Sequence, residues 1–200
     1  SGPLHDALLL GRLALSAFAA TRQRLQPGVR RLLEQGLFEK NILDLGCGNG
    51  ELARTLARTG FSGIYTGIDF SANLLAQAEW GLPAGFQFGF QQQDITLAQW
   101  NVSLPLPHFD TILSFATMHH LPGEVLRLTF LQNVRQRLVA GGRFIHSNWQ
   151  FLNSPRLVER IQAWSNIGLE DGDVDAGDYL LDWRSGGSGL RYVHHFTEDE

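Results

Sequence analysis

Short apolar runs and helix-spaced apolar positions take turns along most of this chain. Ile42-Leu43-Asp44-Leu45 is a compact apolar run that ends in Gly46-Cys47-Gly48-Asn49-Gly50, and Leu52, Ala53, Leu56 and Ala57 then recur at helical spacing. Gly63 to Asp69 reads as a second strand, and Ser71 is placed to cap a helix through Ala72, Leu74, Leu75 and Ala78. Phe86 to Gln92 alternates as a third strand and leads to Asp94-Ile95. Phe109 to Ala116 reads as a fourth strand and runs into Thr117-Met118-His119-His120-Leu121-Pro122. Leu126 to Leu138 predicts an amphipathic helix with Arg127, Arg135 and Arg137 on its wet side. Val139-Ala140-Gly141-Gly142 then predicts a glycine turn that feeds a fifth strand through Arg143 to Ser147.

This alternation predicts an α/β fold, a doubly wound and mainly parallel Rossmann-like sheet. Right-handed crossovers bring the loops after each strand to one edge of the sheet. Asp44 to Gly50, Asp69, Asp94 and Ser114 to His120 should therefore converge. The chain reads as a single domain over 1–200, with a helical cap at 1–38, a cofactor-binding core at 39–150 and a substrate-side extension at 151–200. Within that extension, Gly177 to Trp183 and Leu190 to Phe196 alternate about the turn Arg184-Ser185-Gly186-Gly187-Ser188-Gly189, which predicts a hairpin.

The glycine loop carries the strongest chemical signal. Glycines after a strand let a ligand approach the backbone, and the following helix offers its N–H groups. A dinucleotide site would use G-x-G-x-x-G, but here Glu51 stands where that third glycine would be. Asp44 places an acid two residues before the first glycine, which suits a cationic ligand better than a pyrophosphate. This D-x-G-x-G-x-G pattern resembles the first motif of the class I S-adenosylmethionine-dependent methyltransferases. The resemblance covers roughly residues 40–148 and implies S-adenosylmethionine as cofactor. It implies contacts from Asp44, Gly46, Cys47, Gly48, Asn49 and Gly50, from Asp69 and Phe70 on the ribose side, and from Asp94 and Ile95 around the adenine. Ser114, Phe115 and Ala116 complete the set, and His119 and His120 lie where an acceptor should enter.

The two ends add a narrower resemblance. Phe18-x-x-Thr21-Arg22 precedes the first strand, with Pro27 shortly after, and Asp178, Trp183 and then Arg191-Tyr192-x-His194-x-Phe196 follow the fifth. This order resembles the tRNA wobble-uridine methyltransferases that esterify a 5-carboxymethyl group, although Asp182 stands where that family has a proline before the tryptophan. It implies Arg22 as a catalytic residue that neutralises the acceptor's carboxylate or phosphate, and Arg22, Trp183, Arg191 and His194 as acceptor contacts. His119 and His120, placed where the acceptor should enter, are catalytic candidates that could take the proton of a hydroxyl or amine, and His119 is expected to touch the acceptor. It also implies tRNA as a partner and, as in some members, a small zinc-binding activator subunit. Two other readings stand beside it: a small-molecule O- or N-methyltransferase with the same cofactor site, and a non-catalytic scaffold that keeps the fold. The intact acidic positions argue against the scaffold.

Composition narrows the field less. The net charge is −4, so a globally basic nucleic-acid binder is not indicated, and Lys40 is the single lysine among sixteen basic residues. Arg12, Arg22, Arg24, Arg30 and Arg31 nevertheless cluster near the start. One cysteine excludes an internal disulfide and suits a reducing cytoplasm. Leu8-Leu9-Leu10 is far too short to span a membrane, and no membrane partner is expected. Asp171, Asp173 and Asp175 share the spacing of a calcium loop, but the glycine and the twelfth-position acid are wrong for one, so a solvated acidic loop is expected and no metal. Finally, the class I fold continues past its fifth strand with two more, so this sequence is expected to be truncated inside a helix start at Thr197 to Glu200.

Overall fold

The computed structural model describes residues 25–38, 40–183 and 189–200. A first helix, α1 (Pro27–Glu34), carries proline in its opening turn, where the missing N–H costs nothing. It buries Val29 and leaves Arg30 and Arg31 exposed. Then come β1 (Ile42–Leu45), α2 (Glu51–Arg58), β2 (Ile64–Asp69), α3 (Ala72–Ala78), β3 (Gln87–Gln92) and β4 (Phe109–Phe115). They are followed by α4 (Glu124–Arg137), β5 (Leu138–Ser147), a short α5 (Pro155–Val158), β6 (Ile161–Gln162), β7 (Asp178–Trp183) and β8 (Gly189–His194).

The main sheet has five strands in the order β3-β2-β1-β4-β5, and all its pairings are parallel. The order reverses at β1, so the loops after β1 and β4 flank a crevice at the carboxyl ends of the strands. All four β1 residues are buried, as expected for a strand covered on both faces. Leu43 and Leu45 join Ile68, Trp100, Ile112 and Phe130 in one core cluster. Ile42 joins Leu52, Ala53, Leu56, Tyr65 and Leu113 in the other. Side-chain alternation along β1 therefore turns Asp44 toward the same side as Ile42, where Tyr65 waits.

Two expectations are corrected in detail. The glycine turn before the fifth strand lies inside β5: Leu138 pairs with Phe109, and the register then shifts so that Arg143 pairs with Thr111. Gly141, at φ 78°, supplies the left-handed residue that this bulge requires. On α4 the wet side is misjudged. Arg127 is buried along with Phe130, Asn133 and Val134, whereas Val125 and Leu128 are exposed. Partners far along the chain hold Arg127 inside: its Nη1 donates to Tyr192 Oη at 3.0 Å and lies 3.6 Å from Asp178 Oδ1.

The predicted hairpin is present. β7 and β8 pair antiparallel from Asp178↔His194 to Trp183↔Gly189, and β6 completes a separate three-stranded sheet. Two of the three acids of the calcium-like spacing accept backbone hydrogen bonds. Asp175 Oδ2 accepts the Glu124 N–H at 2.6 Å and so caps α4, while Asp173 accepts the Glu170 N–H at 2.8 Å within its own turn. Among the described residues no group of histidine, cysteine and acid side chains could hold a metal ion, and no helix is long and apolar enough to cross a membrane.

Candidate active site

One cavity opens at the carboxyl edge of the main sheet and brings together loops that are distant in sequence. Asp44, Gly46, Cys47, Gly48 and Asn49 line it after β1, Asp69 and Phe70 after β2, Asp94 and Ile95 after β3, and Phe115 and Ala116 after β4. Eleven of the thirteen positions expected to meet the cofactor therefore share one wall. The other two do not line it. Gly50 is the N-cap of α2 at φ 75°, and a Cβ there would stand 2.8 Å from Ala78 Cα, so its glycine serves helix packing. Ser114 is fully buried within β4.

The loop's shape follows from hydrogen bonds and from glycine's tolerance of positive φ. Gly46 and Cys47 both donate to the Ile68 carbonyl, at 2.9 and 3.0 Å. Gly48 has φ +58°, and a Cβ added there would find no atom within 4 Å. That backbone is bare on its outer side, as a ligand cradle requires. Gly46 is closed instead: its Cβ would lie 2.4 Å from Thr117 Oγ1, which locks the loop against the chain after β4.

The acids divide the work. Asp69 Oδ2 accepts the Gly48 N–H at 2.9 Å, and its Oδ1 accepts the Ser71 N–H at 2.9 Å. A carboxylate has about four acceptor sites, so this anchored group can also receive ribose hydroxyls. Asp94 Oδ1 takes both donors of Thr96, at 2.9 and 2.7 Å, which fixes its plane beside Ile95. Asp44 Oδ2 accepts from Tyr65 Oη at 2.5 Å in a fully buried setting. Burial pushes the Asp44 carboxyl up to about 7; the Tyr65 hydrogen bond partly opposes this and the neighbouring Asp69 adds to it. Burial, with both acids nearby, pushes the Cys47 thiol well above its usual range, so it is a loop residue and not a nucleophile.

Another part of the cavity lining is aromatic and basic. His120 lines it together with Thr117, Trp149, Arg191 and Tyr192. His120 Nδ1 lies 2.9 Å from the Tyr192 carbonyl, which requires the proton on Nδ1 and makes Nε2 the basic nitrogen of the neutral ring. Arg191 is buried, with its guanidinium carbon 4.4 Å from the centre of the Trp149 ring. His119 stands behind this wall: it is fully buried, packs with its ring 4.3 Å from that of His120 and tilted 60° to it, and accepts the Trp149 N–H on Nδ1 at 3.3 Å. His194 also lies outside the cavity lining, with Nδ1 2.6 Å from Asp178 Oδ1 and Nε2 3.1 Å from Glu200 Oε1. Tyr192 Oη donates to the same Asp178 oxygen. Trp183 pairs with Gly189 at the opposite end of the hairpin from this cluster. Arg22 lies outside the described residues.

Trp149, Thr96 and, in and just before α1, Leu25, Gln26 and Val29 escaped the sequence reading although they line the cavity. A tryptophan two residues past the fifth strand was the one available signal among them.

Comparisons with known proteins identify the family and the fold. The family described as "Methyltransferase domain" matches residues 42–142. A protein of Encephalitozoon cuniculi named as a candidate methyltransferase is 30% identical over 181 residues, covering 88% of this chain and 73% of its own length. The chain belongs to the class I S-adenosylmethionine-dependent methyltransferases. A ubiquinone biosynthesis O-methyltransferase of Sodalis glossinidius is 34% identical over 88 residues, but that match spans 44% of this chain and only 33% of the enzyme. The crystal structure of a S-adenosylmethionine-dependent methyltransferase from Clostridium acetobutylicum shares the fold, with a TM-score of 0.58 at 19% identity over 86% of this chain and 73% of that one.

S-adenosylmethionine is accordingly the cofactor, and the residues present fit it. The bare backbone of Gly48, the anchored Asp69 and the buried Asp44 offer a cradle, a hydroxyl acceptor and a counter-charge for a cationic ligand. When bound, the cofactor supplies an electrophilic methyl group on a sulfonium. The chain's own part is to hold the acceptor in line with it and to exclude water, and alignment of this kind is worth several orders of magnitude in rate.

Proposed function

We propose that this methyltransferase esterifies a carboxylate, and that the carboxylate is the carboxymethyl group of a wobble uridine in tRNA. The observation that carries the reading is the buried Arg191, clamped on Trp149 and lining the same cavity as the cofactor loops. A guanidinium in the cavity lining can meet an anionic acceptor with planar, two-pronged geometry. A carboxylate is already ionised near pH 7, so this reaction needs no general base. Support for the tRNA-borne form comes from the ordered match of Phe18-x-x-Thr21-Arg22 and Arg191-Tyr192-x-His194-x-Phe196 around the core. The exposed Arg30 and Arg31 on α1 suit phosphate contacts. A small activator subunit belongs to the same proposal.

A second reading is favoured by His120. With its proton held on Nδ1 by Tyr192, it could take a proton from a hydroxyl on Nε2, and one relative is named for O-methylation in ubiquinone biosynthesis. The test offers tRNA bearing 5-carboxymethyluridine, and separately a pool of small phenols, to the protein with labelled cofactor, followed by mass spectrometry of the products. The proposal expects a methyl ester on the nucleoside. In Arg191→Lys, ester formation should fall at least tenfold while cofactor affinity stays put. Labelling confined to the phenols would establish the second reading in its place.

A further inference from the structure

Asp44 and Asp69 are neighbouring acids in one buried pocket, but their hydrogen bonds differ in kind. Both Asp69 oxygens accept backbone N–H groups, from Gly48 and Ser71, an arrangement that favours the charged carboxylate. Asp44 is met by the Tyr65 hydroxyl, which can donate to the carboxyl whether or not it is ionised. Two acids that share a desolvated site do not both ionise readily, so a proton shared between them settles on Asp44.

We propose that Asp44 holds a proton beside Tyr65 in the empty site and gives it up to solvent when a cationic ligand arrives, so that cofactor uptake is coupled to proton release. The balance is simple: a neutral carboxyl and an ammonium group become an ion pair and one released proton. The cation is the ammonium of the cofactor's amino-acid end, which the demethylated product also carries.

Among the described residues, the remaining charged groups around Asp44 do not supply that counter-charge. Glu51 on α2 is held by Arg54 and Arg58, each at 3.2 Å. Arg54 also donates to the Gln77 and Ala78 carbonyls of α3. The Cys47 thiol is driven toward its neutral form by burial, as is the Tyr65 hydroxyl. From α1 and the two residues before it the lining residues are Leu25, Gln26 and Val29, which carry no charge, and His120 and the Arg191 guanidinium belong to the loop after β4 and to β8. The upward displacement of the Asp44 carboxyl to about 7 agrees with this picture and sets the pH range in which release should occur.

The test is calorimetry with S-adenosylhomocysteine, which has the ammonium but no sulfonium, in buffers of contrasting ionisation enthalpy. Near pH 6 the proposal expects release of close to one proton per ligand, dwindling toward zero by pH 8.5. Affinity should weaken about tenfold for each pH unit below neutrality, which is the linkage expected for one proton. Tyr65→Phe removes a donor that stabilises the carboxylate, so release in that variant should persist to higher pH. Asp44→Asn should bind more weakly and release nothing. Buffer-independent binding heats at pH 6, or undiminished release in a folded Asp44→Asn protein, would overturn the proposal.

Discussion

Two buried aspartates show how differently the two ends of the cavity are built. Asp44 sits near the end of β1 with one hydroxyl for company among the described residues, and Tyr65, Asp69 and the glycine loop beside it come from residues 44–71. Asp178 sits under the acceptor wall and gathers Tyr192, His194 and Arg127, which come from β8 and from α4 of the core. The first is poorly compensated and poised to meet a ligand. The second is heavily compensated and ties the β6–β8 sheet to the main fold. The cofactor end thus keeps an electrostatic deficit, while the acceptor end uses its charges as fastenings.

The sharpest way to break this contrast is Asp178→Ala. It would leave Arg127 and His194 buried without their shared carboxylate, and breaking such a cluster costs about 3–5 kcal/mol. Urea unfolding should show a loss of that size. A loss below about 1 kcal/mol would mean that the cluster fastens nothing.

Asp44→Asn should behave in the opposite way. The native-state carboxyl is raised from 3.8 to about 7, so the folded protein binds a proton there that the unfolded chain has already lost. Stability of the cofactor-free protein should then be greatest at low pH, fall as pH rises from about 4 to 7, and level off above that. The loss from this group is on the order of 4 kcal/mol at most. Asp69, also raised by burial, shifts stability in the same direction. Thermal melts from pH 5 to 8 should show a shallower decline in Asp44→Asn than in the wild type, with the variant the more stable protein at pH 8. A variant less stable than wild type at pH 8 would contradict this account.

Gly48→Ala sharpens the comparison on a smaller scale. An alanine in a left-handed conformation costs about 1–2 kcal/mol, and the new methyl meets no protein atom. Stability should drop by about that amount, whereas cofactor affinity should drop tenfold or more. Equal affinities by titration would show that the cofactor does not approach this backbone.

The cofactor end was legible in the sequence because its determinants are local. Strand, glycine loop and helix lie within residues 42–58, and Asp69 ends the next strand 19 residues after Gly50. The β7–β8 hairpin was legible for the same reason: alternation on both flanks of a glycine-rich turn. Arg127 was not. Its helix pattern places it in water, and only Asp178, fifty-one positions later, explains why it is buried. His194 illustrates the converse. The motif around it pointed to acceptor contact, but the fold spends it on Asp178 and Glu200 and leaves the cavity to its neighbour Arg191. Trp149 gave no signal beyond its place two residues past β5, because a residue just past a strand shows its destination only when the loops close over one another.

Trp149 also has an optical consequence. Its indole touches a guanidinium and two imidazoles at the acceptor end of the cavity, whereas Trp100 and Trp164 are buried in separate clusters and Trp80 is 71% exposed. Indole emission is quenched by nearby protonated imidazole and shifts in colour when water leaves its surroundings. The chain therefore carries an intrinsic fluorophore in the lining of the cavity, and on the proposed reading acceptor docking can be followed by emission without any label.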